Sequence, residues 1–547
     1  MRALAIILVA ACSTSHVPSV RFANAPPVGL VDDRRDVPAP PKKRVDYRLL
    51  YHYEGTFHRR ITRALELPRA RRALGVNAFD EVPDSTWFTN RIGVRELSLD
   101  ELREGAATSG NPERYKPWTI TSTKVSGIAT GFIVRDRRGV KFLVKFETKG
   151  YPELESATDA IVSRLIWAAG YNVPEDYVAY VHPNDLLLAP DATIEDIFGS
   201  KRRLDRTELA KRLALCEVGA DGQLRALASR FLEGKLLGGH PGEGRRTDDP
   251  NDRIPHELRR DLRGAYPLFA WLDHTDVKEN NTLDVWVEDP SNGRHYVEHY
   301  FLDFGKSFGV MATMGRDLRR GYAYKVDFRE MFRSFASLGL VDRAWEARSA
   351  PVLRGVGLFD VESYDPGAWK ADTPGYVPFL VADVRDKFWG AKLVMRFTRD
   401  QLRAAIEAAR FTDPRAAEYV LTTLVARQRA TALYWFERTS ALDRFAIVDD
   451  QLCFDDLTIV YDLAPVAGET TYAIDRFGRD GRSLASRFAL HPGPRGHTCM
   501  PLGLAHAGDG YTIMKLTTVR PDRAHAIYVH VARDRAGTPR VIGVWRP

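Results

Sequence analysis

Cysteine is scarce in this sequence, with four among 547 residues. That scarcity excludes a disulfide-dense scaffold, and no Cys-x-x-Cys or paired-histidine spacing offers a structural zinc site. After the first dozen residues no apolar run is long enough to span a bilayer. Charge of neither sign dominates: 79 Lys and Arg face 72 Asp and Glu, a formal excess of +7. The arginines are scattered without interleaved aromatics, which reads as a solvated surface and not as a nucleic-acid footprint. No repeat of fixed period appears, which argues against a solenoid or propeller. What remains is ordinary for a soluble globular protein, 44% hydrophobic and 28% charged, and long enough for two to four domains.

The opening, MRALAIILVAACSTS, reads as an export signal. Arg2 gives a short positive start, residues 3–9 an apolar stretch, and Val9-Ala10-Ala11-Cys12 is similar to the bacterial lipobox. That likeness implies lipidation at Cys12 and a membrane anchor. Ser13 after the cysteine favours the outer membrane, facing the periplasm or the cell surface. An ordinary secretory signal is the alternative. Of the other cysteines, Cys453 and Cys499 form the plausible disulfide in an oxidising compartment, with two free buried thiols the other possibility.

Composition divides the chain further. Residues 1–12 are the signal segment, and 13–45, rich in proline, read as an extended tether. Residues 46–116 form an N-terminal extension packed on the core. From 117 to 233 the pattern is sheet-rich: GFIVRDRRGVKFLVKFE alternates around Arg137-Arg138-Gly139 as a β-hairpin, and residues 155–170 have helical spacing ended by Gly170. Residues 234–448 turn mainly helical, and the helix from Pro414 has Asp413 as its N-cap. From 449 to 547 short alternating runs return, among them LTIVYDL and YTIMKLTTV, which predict a β-sandwich-like module.

The chemistry concentrates in residues 271–305, WLDHTDVKENNTLDVWVEDPSNGRHYVEHYFLDFG. An Asp-x-Lys-x-x-Asn run precedes a hairpin, and Asp-Phe-Gly follows it. A phosphoryl-transfer site needs metal ligands, a positive charge and a carboxylate to orient the attacking hydroxyl. Asp276, Lys278, Asn281 and Asp303 supply those types in that order. The bland alternative is a polar turn whose acids cap backbone amides. Lys145, in FLVKF, stands on a strand between apolar neighbours and needs a carboxylate partner. Asp159 on the following helix is the first candidate and Glu155, one turn earlier, the second.

His274-Thr275-Asp276-Val277-Lys278-Glu279-Asn280-Asn281 followed by Asp303-Phe304-Gly305 resembles the protein-kinase superfold. The spacing from Asp159 to Gly170 is similar to that in its HipA-type and phosphoinositide-kinase-like branch. DEVPDSTWFTNR, GYNVPED and LDFGKSFG look like a group of bacterial kinase-like lipoproteins without an established substrate, over most of residues 50–460. The resemblance implies an α+β, bilobal kinase-like fold with a sheet-rich N-lobe, a helical C-lobe and a C-terminal all-β accessory domain. It implies that Asp276 orients the acceptor hydroxyl and Lys278 neutralises the moving phosphoryl group. Asn281 and Asp303 would hold Mg²⁺ or Mn²⁺, and Lys145 would grip the phosphates of ATP or another nucleotide. Ser126 to Gly131 would cover those phosphates through Gly127 and Gly131, and Glu233 would lie in the hinge beside the base. Thr275 stands where kinases carry arginine, so control through a phosphorylated loop is not expected.

Two functions follow from different classes. One is a membrane-anchored, ATP-dependent phosphotransferase moving a phosphoryl or nucleotidyl group to an acceptor. The other is a catalytically inactive kinase-fold lipoprotein that binds or scaffolds at the cell envelope, where ATP is scarce. A third class, sugar or peptidoglycan binding by the C-terminal module through Tyr511 and Tyr528, competes with core packing of those rings.

Overall fold

A computed structural model describes residues 32–44, 51, 53–64, 71–125, 129–196, 200–311, 317–484, 487–502 and 510–547. The export signal, Cys12 and Gly127 lie outside the described residues. The fold is mixed α/β, in two compact units: the described residues up to 77 together with 81–435, and residues 78–80 with 436–547.

In the larger unit, alternating segments build a seven-stranded sheet from β1 (Trp118–Thr123), β2 (Gly131–Arg135), β3 (Lys141–Phe146), β4 (Asp176–Val181), β5 (Leu186–Glu195), β6 (Lys201–Arg203) and β7 (Leu224–Arg230). Their spatial order is β4-β7-β3-β2-β1-β5-β6. Every second residue of β3 is buried, so Phe142, Val144 and Phe146 enter the core beside Trp118 and Phe132. Helix α1 (Leu154–Ala169) follows β3. Glu147 receives the amides of Glu155 and Ser156 at its start, and Gly170 at φ 129° ends it.

The chain leaves that sheet at Arg230 and re-enters order at β8 (Lys235–Gly238), which pairs with β9 (Thr282–Glu288) in a three-stranded sheet completed by β10 (His295–Phe301). Helix α2 (Arg260–Trp271) lies between β8 and β9 and is bound to α3 (Val384–Arg396) through Arg260 and Arg263, which share buried Asp386 at 2.7 and 3.3 Å. Helix α4 (Arg399–Glu407) precedes α5 (Pro414–Phe436). Arg427 and Leu424 of α5 hold the end of α2 through the Ala270 carbonyl and the Trp271 indole. Trp389 and Trp435 are buried as core aromatics.

Residues 32–44, read from composition as part of a tether, run against this unit. Val37 is buried, its amide donates to the His295 carbonyl, and the Arg44 amide donates to that of Leu237. Proline removes donors but leaves carbonyls and alternate amides free to bond an existing sheet, and Val37 O accepts the Trp286 indole proton at 2.9 Å.

The second unit contains β11 (Leu442–Val448), β12 (Gln451–Asp456), β13 (Thr471–Phe477), β14 (Phe488–Leu490), β15 (His497–Pro501), β16 (Tyr511–Arg520), β17 (Arg523–Arg533) and β18 (Pro539–Trp545). They form sheets of order β11-β12-β15 and β14-β13-β16-β17-β18, and Phe454 and Leu516 belong to one core drawn from both. The expected boundary at 448/449 falls inside the β11–β12 hairpin; the unit begins at Phe436 because Leu442 belongs to its core. LTIVYDL is not a strand. Residues Leu457–Val460 form a helical turn, since buried Asp456 ends β12 and accepts the Thr458 amide as an N-cap. Cys453 and Cys499 face each other across β12 and β15 and are disulfide-bonded, and Cys216 is buried and free. Tyr511 is buried, so it presents no sugar-stacking face. Among the described residues no helix is long and apolar enough to cross a membrane.

Candidate active site

The end of α2 delivers the motif loop. The Leu272 amide closes the last turn onto Leu268, and Asp273, at φ 49°, turns the chain out of the helix. The loop then folds on itself. Lys278 Nζ donates to Asp276 Oδ1 at 2.7 Å, and Asn281 Nδ2 donates to the Asp276 carbonyl at 2.7 Å. That second bond fixes the amide so that Asn281 Oδ1 is the atom a cation would take. The β9–β10 hairpin returns the chain to the same place, because the Leu302 amide donates to the Asn281 carbonyl at 2.9 Å. Asp303 comes next, with φ at 64°, a left-handed conformation that costs a non-glycine residue energy and that aspartate tolerates better than most.

Lys145 meets Asp303 there. Its Nζ donates to Asp303 Oδ1 at 2.7 Å across 158 residues of sequence. The lysine side chain is 14% exposed and the carboxylate 47%; with Glu147, Glu155 and Asp159 the pair lines a small cleft of about 10 Å³. A third lysine closes the ring: Lys306 Nζ donates to Asp276 Oδ2 at 3.1 Å. Asp276, Lys278, Asn281, Asp303 and Lys145 therefore gather in one place.

Charge governs their protonation. Burial would raise the Asp276 carboxyl, but Lys278 and Lys306 outweigh it and hold the group at about 2. Burial likewise opposes ionisation of Asp303, and Lys145 brings it down to about 2. Burial would lower the Lys145 ammonium, yet Asp303 and then Asp159 push it above its ordinary value. Two carboxylates and the Lys145 and Lys306 ammonium groups thus stand ionised at neutral pH. Oxygen donors from an amide and a carboxylate suit a hard divalent cation such as Mg²⁺ or Mn²⁺.

The helix acids behave otherwise than spacing implies. Asp159 is buried beside Lys145, but it forms no ion pair with the lysine; Asp159 shares a hydrogen bond with Asp176 of β4. Burial first, and the Asp176 charge second, raise the Asp159 carboxyl well above the ordinary range. Burial also lifts Asp176 to about 6, against the hydrogen bond from Ser229. Two carboxyl groups that close cannot both ionise cheaply. Glu155, also beside Lys145, is raised by burial to about 7 despite the lysine.

Gly131 opens β2 opposite Lys145, and a Cβ there would lie 2.8 Å from the Val144 carbonyl oxygen, so only glycine fits. Glu233 does not join the cluster. Its side chain is 83% exposed and paired with Arg230. With Phe231, Leu232 and Gly234 it lines a cavity of about 910 Å³ against the β9–β10 hairpin, and none of the cluster's residues borders that cavity.

No family model matches the chain, and no curated protein does. Among solved structures it is similar to a crystal structure of the Golgi casein kinase with Mn/ADP bound, at 11% identity over 62% of this chain and 74% of that one, with a TM-score of 0.31. It is also similar to a second crystal structure of the Golgi casein kinase, at 10% identity over 67% of this chain and 95% of that one, with a TM-score of 0.21.

Three residues of the site carry no motif of their own. Lys124, just past β1, lies partly buried near Lys145; burial and then the Lys145 charge lower it to about 8. Lys306 follows Asp303-Phe304-Gly305 directly, and its position beside that motif was the one available signal. Arg320 fills the place left by Thr275. Its Nε donates to Thr275 Oγ1 at 2.9 Å, its Nη2 lies 3.2 Å from both Asp372 oxygens, and its Nη1 donates to the Val310 carbonyl. The Asp372 amide in turn donates to the Thr275 carbonyl at 2.7 Å. His274, whose imidazole burial lowers to about 4, bonds Ser307 and packs against Phe304 at 5.4 Å, tying the two motifs together.

Proposed function

We propose that this chain is a bilobal, kinase-like phosphotransferase that uses a nucleotide donor and a divalent cation. The observation that carries the reading is the 2.7 Å contact between Lys145 and Asp303, which joins the third strand of a sheet to the Asp-Phe-Gly turn. Asp276 orients the acceptor hydroxyl, and Lys278 with Lys306 offsets charge on the transferred group. Asn281 and Asp303 would hold Mg²⁺ or Mn²⁺, which would supply positive charge against the phosphates. Lys145 and Lys124 would meet the phosphate oxygens.

The cell envelope is the proposed location, anchored through Cys12. The Cys453–Cys499 disulfide supports an oxidising compartment. The acceptor carries a hydroxyl.

Thermal stability of the fragment after Cys12 tests nucleotide binding. A rise with Mg²⁺ and ATP that vanishes in Asp303→Ala is expected, and no rise with any nucleotide or metal refutes the site. Phosphate incorporation that Asp276→Asn abolishes separates transfer from binding. The second reading is a binding module that holds nucleotide and transfers nothing. Nucleotide binding without transfer would establish it.

A further inference from the structure

Away from the cleft, a second group of ligating side chains surrounds Trp87, a buried ring in the segment 85–90. Trp87 stacks on His299 at 3.5 Å between ring centroids and meets His240 edge-on at 4.8 Å. His299 on β10 and Asp284 on β9 are direct cross-strand partners, and His240 lies two residues past β8. All three side chains are buried.

Two imidazoles converge on one carboxylate oxygen. His299 Nδ1 lies 2.7 Å from Asp284 Oδ1 and His240 Nδ1 lies 3.3 Å from it. One ligand atom from each residue falls within 4.8 Å of the others. Asp284 Oδ2 is taken by Arg246 at 3.0 Å, which leaves Oδ1 for the imidazoles. His240 is the anomaly. It is 1% exposed; its Nδ1 meets Asp284 only in poor hydrogen-bond geometry, and its Nε2 has no hydrogen-bond partner among the described residues. A buried imidazole left so is destabilising and calls for a ligand. His256 nearby is already satisfied by Asp252 and the Pro241 carbonyl, so it is not a competitor. A four-coordinate cation with bonds of about 2.0–2.1 Å spaces its ligand atoms about 3.3 Å apart, close to the His240–Asp284 separation. The 2.7 Å His299–Asp284 contact is a hydrogen bond whose proton the cation would replace, with the two atoms moving apart.

We infer that His240, Asp284 and His299 form a buried site for a borderline divalent cation of the zinc class, distinct from the Asn281–Asp303 cation site. Two imidazoles and a carboxylate are the donor set such an ion takes, with the fourth position filled by water. The site clips β8 to the β9–β10 hairpin. Asn281 stands immediately before that hairpin and Asp303 two residues after it, so the ion holds the frame that presents both. Among the described residues one other trio of this type exists, Cys453, His497 and Cys499, and its thiols are spent on the disulfide.

The test is metal analysis of the full chain after dialysis against chelator and reloading with Zn²⁺. About one equivalent is expected, retained in Asp303→Ala and lost in both His240→Ala and His299→Gln. Cobalt offers a readout that needs no variant to fold: Co²⁺-loaded wild type should show the intense visible bands of four-coordinate cobalt. Wild-type protein that takes up no zinc, or zinc that His240→Ala retains, overturns the inference. Because Asp303→Ala empties the cleft alone, failure here and failure of the phosphotransferase reading are separately visible.

Discussion

Glu155 turns the electrostatics of the cleft into a measurable pH dependence. Burial first, then the charges of Glu147 and Asp303, raise its carboxyl from 4.5 to about 7, while Lys145 opposes them. Between those values the folded protein binds a proton that the unfolded chain has released, so stability falls as pH rises across the window. At about 1.4 kcal/mol per pH unit the full penalty is about 3 kcal/mol, nearly all of it incurred between pH 5 and 8. Glu155→Gln keeps the shape and removes the charge. Relative to wild type it should gain about 2–3 kcal/mol on going from pH 5 to 8. Urea unfolding followed by tryptophan emission is the assay: of the ten tryptophans only Trp545 lies outside the larger unit, so the signal reports the unit that holds the cleft. Taking the difference between the two proteins at each pH cancels the other titrating groups. If it is the same at pH 5 and pH 8 within about 0.5 kcal/mol, Glu155 titrates as an ordinary surface acid and the description of the cleft is wrong.

Arg320→Ala removes one of the two cations paired with buried Asp372, leaving Lys325 at 3.2 Å, and should cost about 3 kcal/mol in the same urea assay; a loss under about 1 kcal/mol would show that Lys325 alone suffices. Lys124, at about 8, loses its charge as pH climbs through that value, so calorimetric nucleotide affinity should fall from pH 7 to 9 in wild type and stay flat in Lys124→Met, which should bind about fivefold more weakly at pH 7. Reduction of the Cys453–Cys499 bond, which spans 46 residues, should destabilise the second unit by about 4 kcal/mol on the loop-entropy estimate. Calorimetry with and without reductant checks this, and a Cys453→Ser/Cys499→Ser variant should match the reduced protein and ignore the reagent.

What sequence reveals here depends on how local the physics is. Asp276, Lys278 and Asn281 lie within one loop, and their types alone describe a site. Lys145 is legible because the alternation of β3 gives its environment. Asp159 misleads, because spacing along α1 puts it near Lys145 but says nothing of Asp176, which arrives from β4 and, after burial, pushes the Asp159 carboxyl further up. Arg320 acts on Thr275 from 45 residues downstream, a distance at which no motif survives. LTIVYDL alternates like a strand, yet a single buried cap at Asp456 decides for a helical turn. His240, Asp284 and His299 come from two strands and the residues after a third, so linear spacing could not flag them.

Arg320 also bears on how such a protein is governed. A guanidinium carried by the chain itself, seated between Thr275, Val310 and Asp372, ties those three described residues together. The contact is built from side chains of this chain alone, so it holds Thr275 and Asp372 together without any added group.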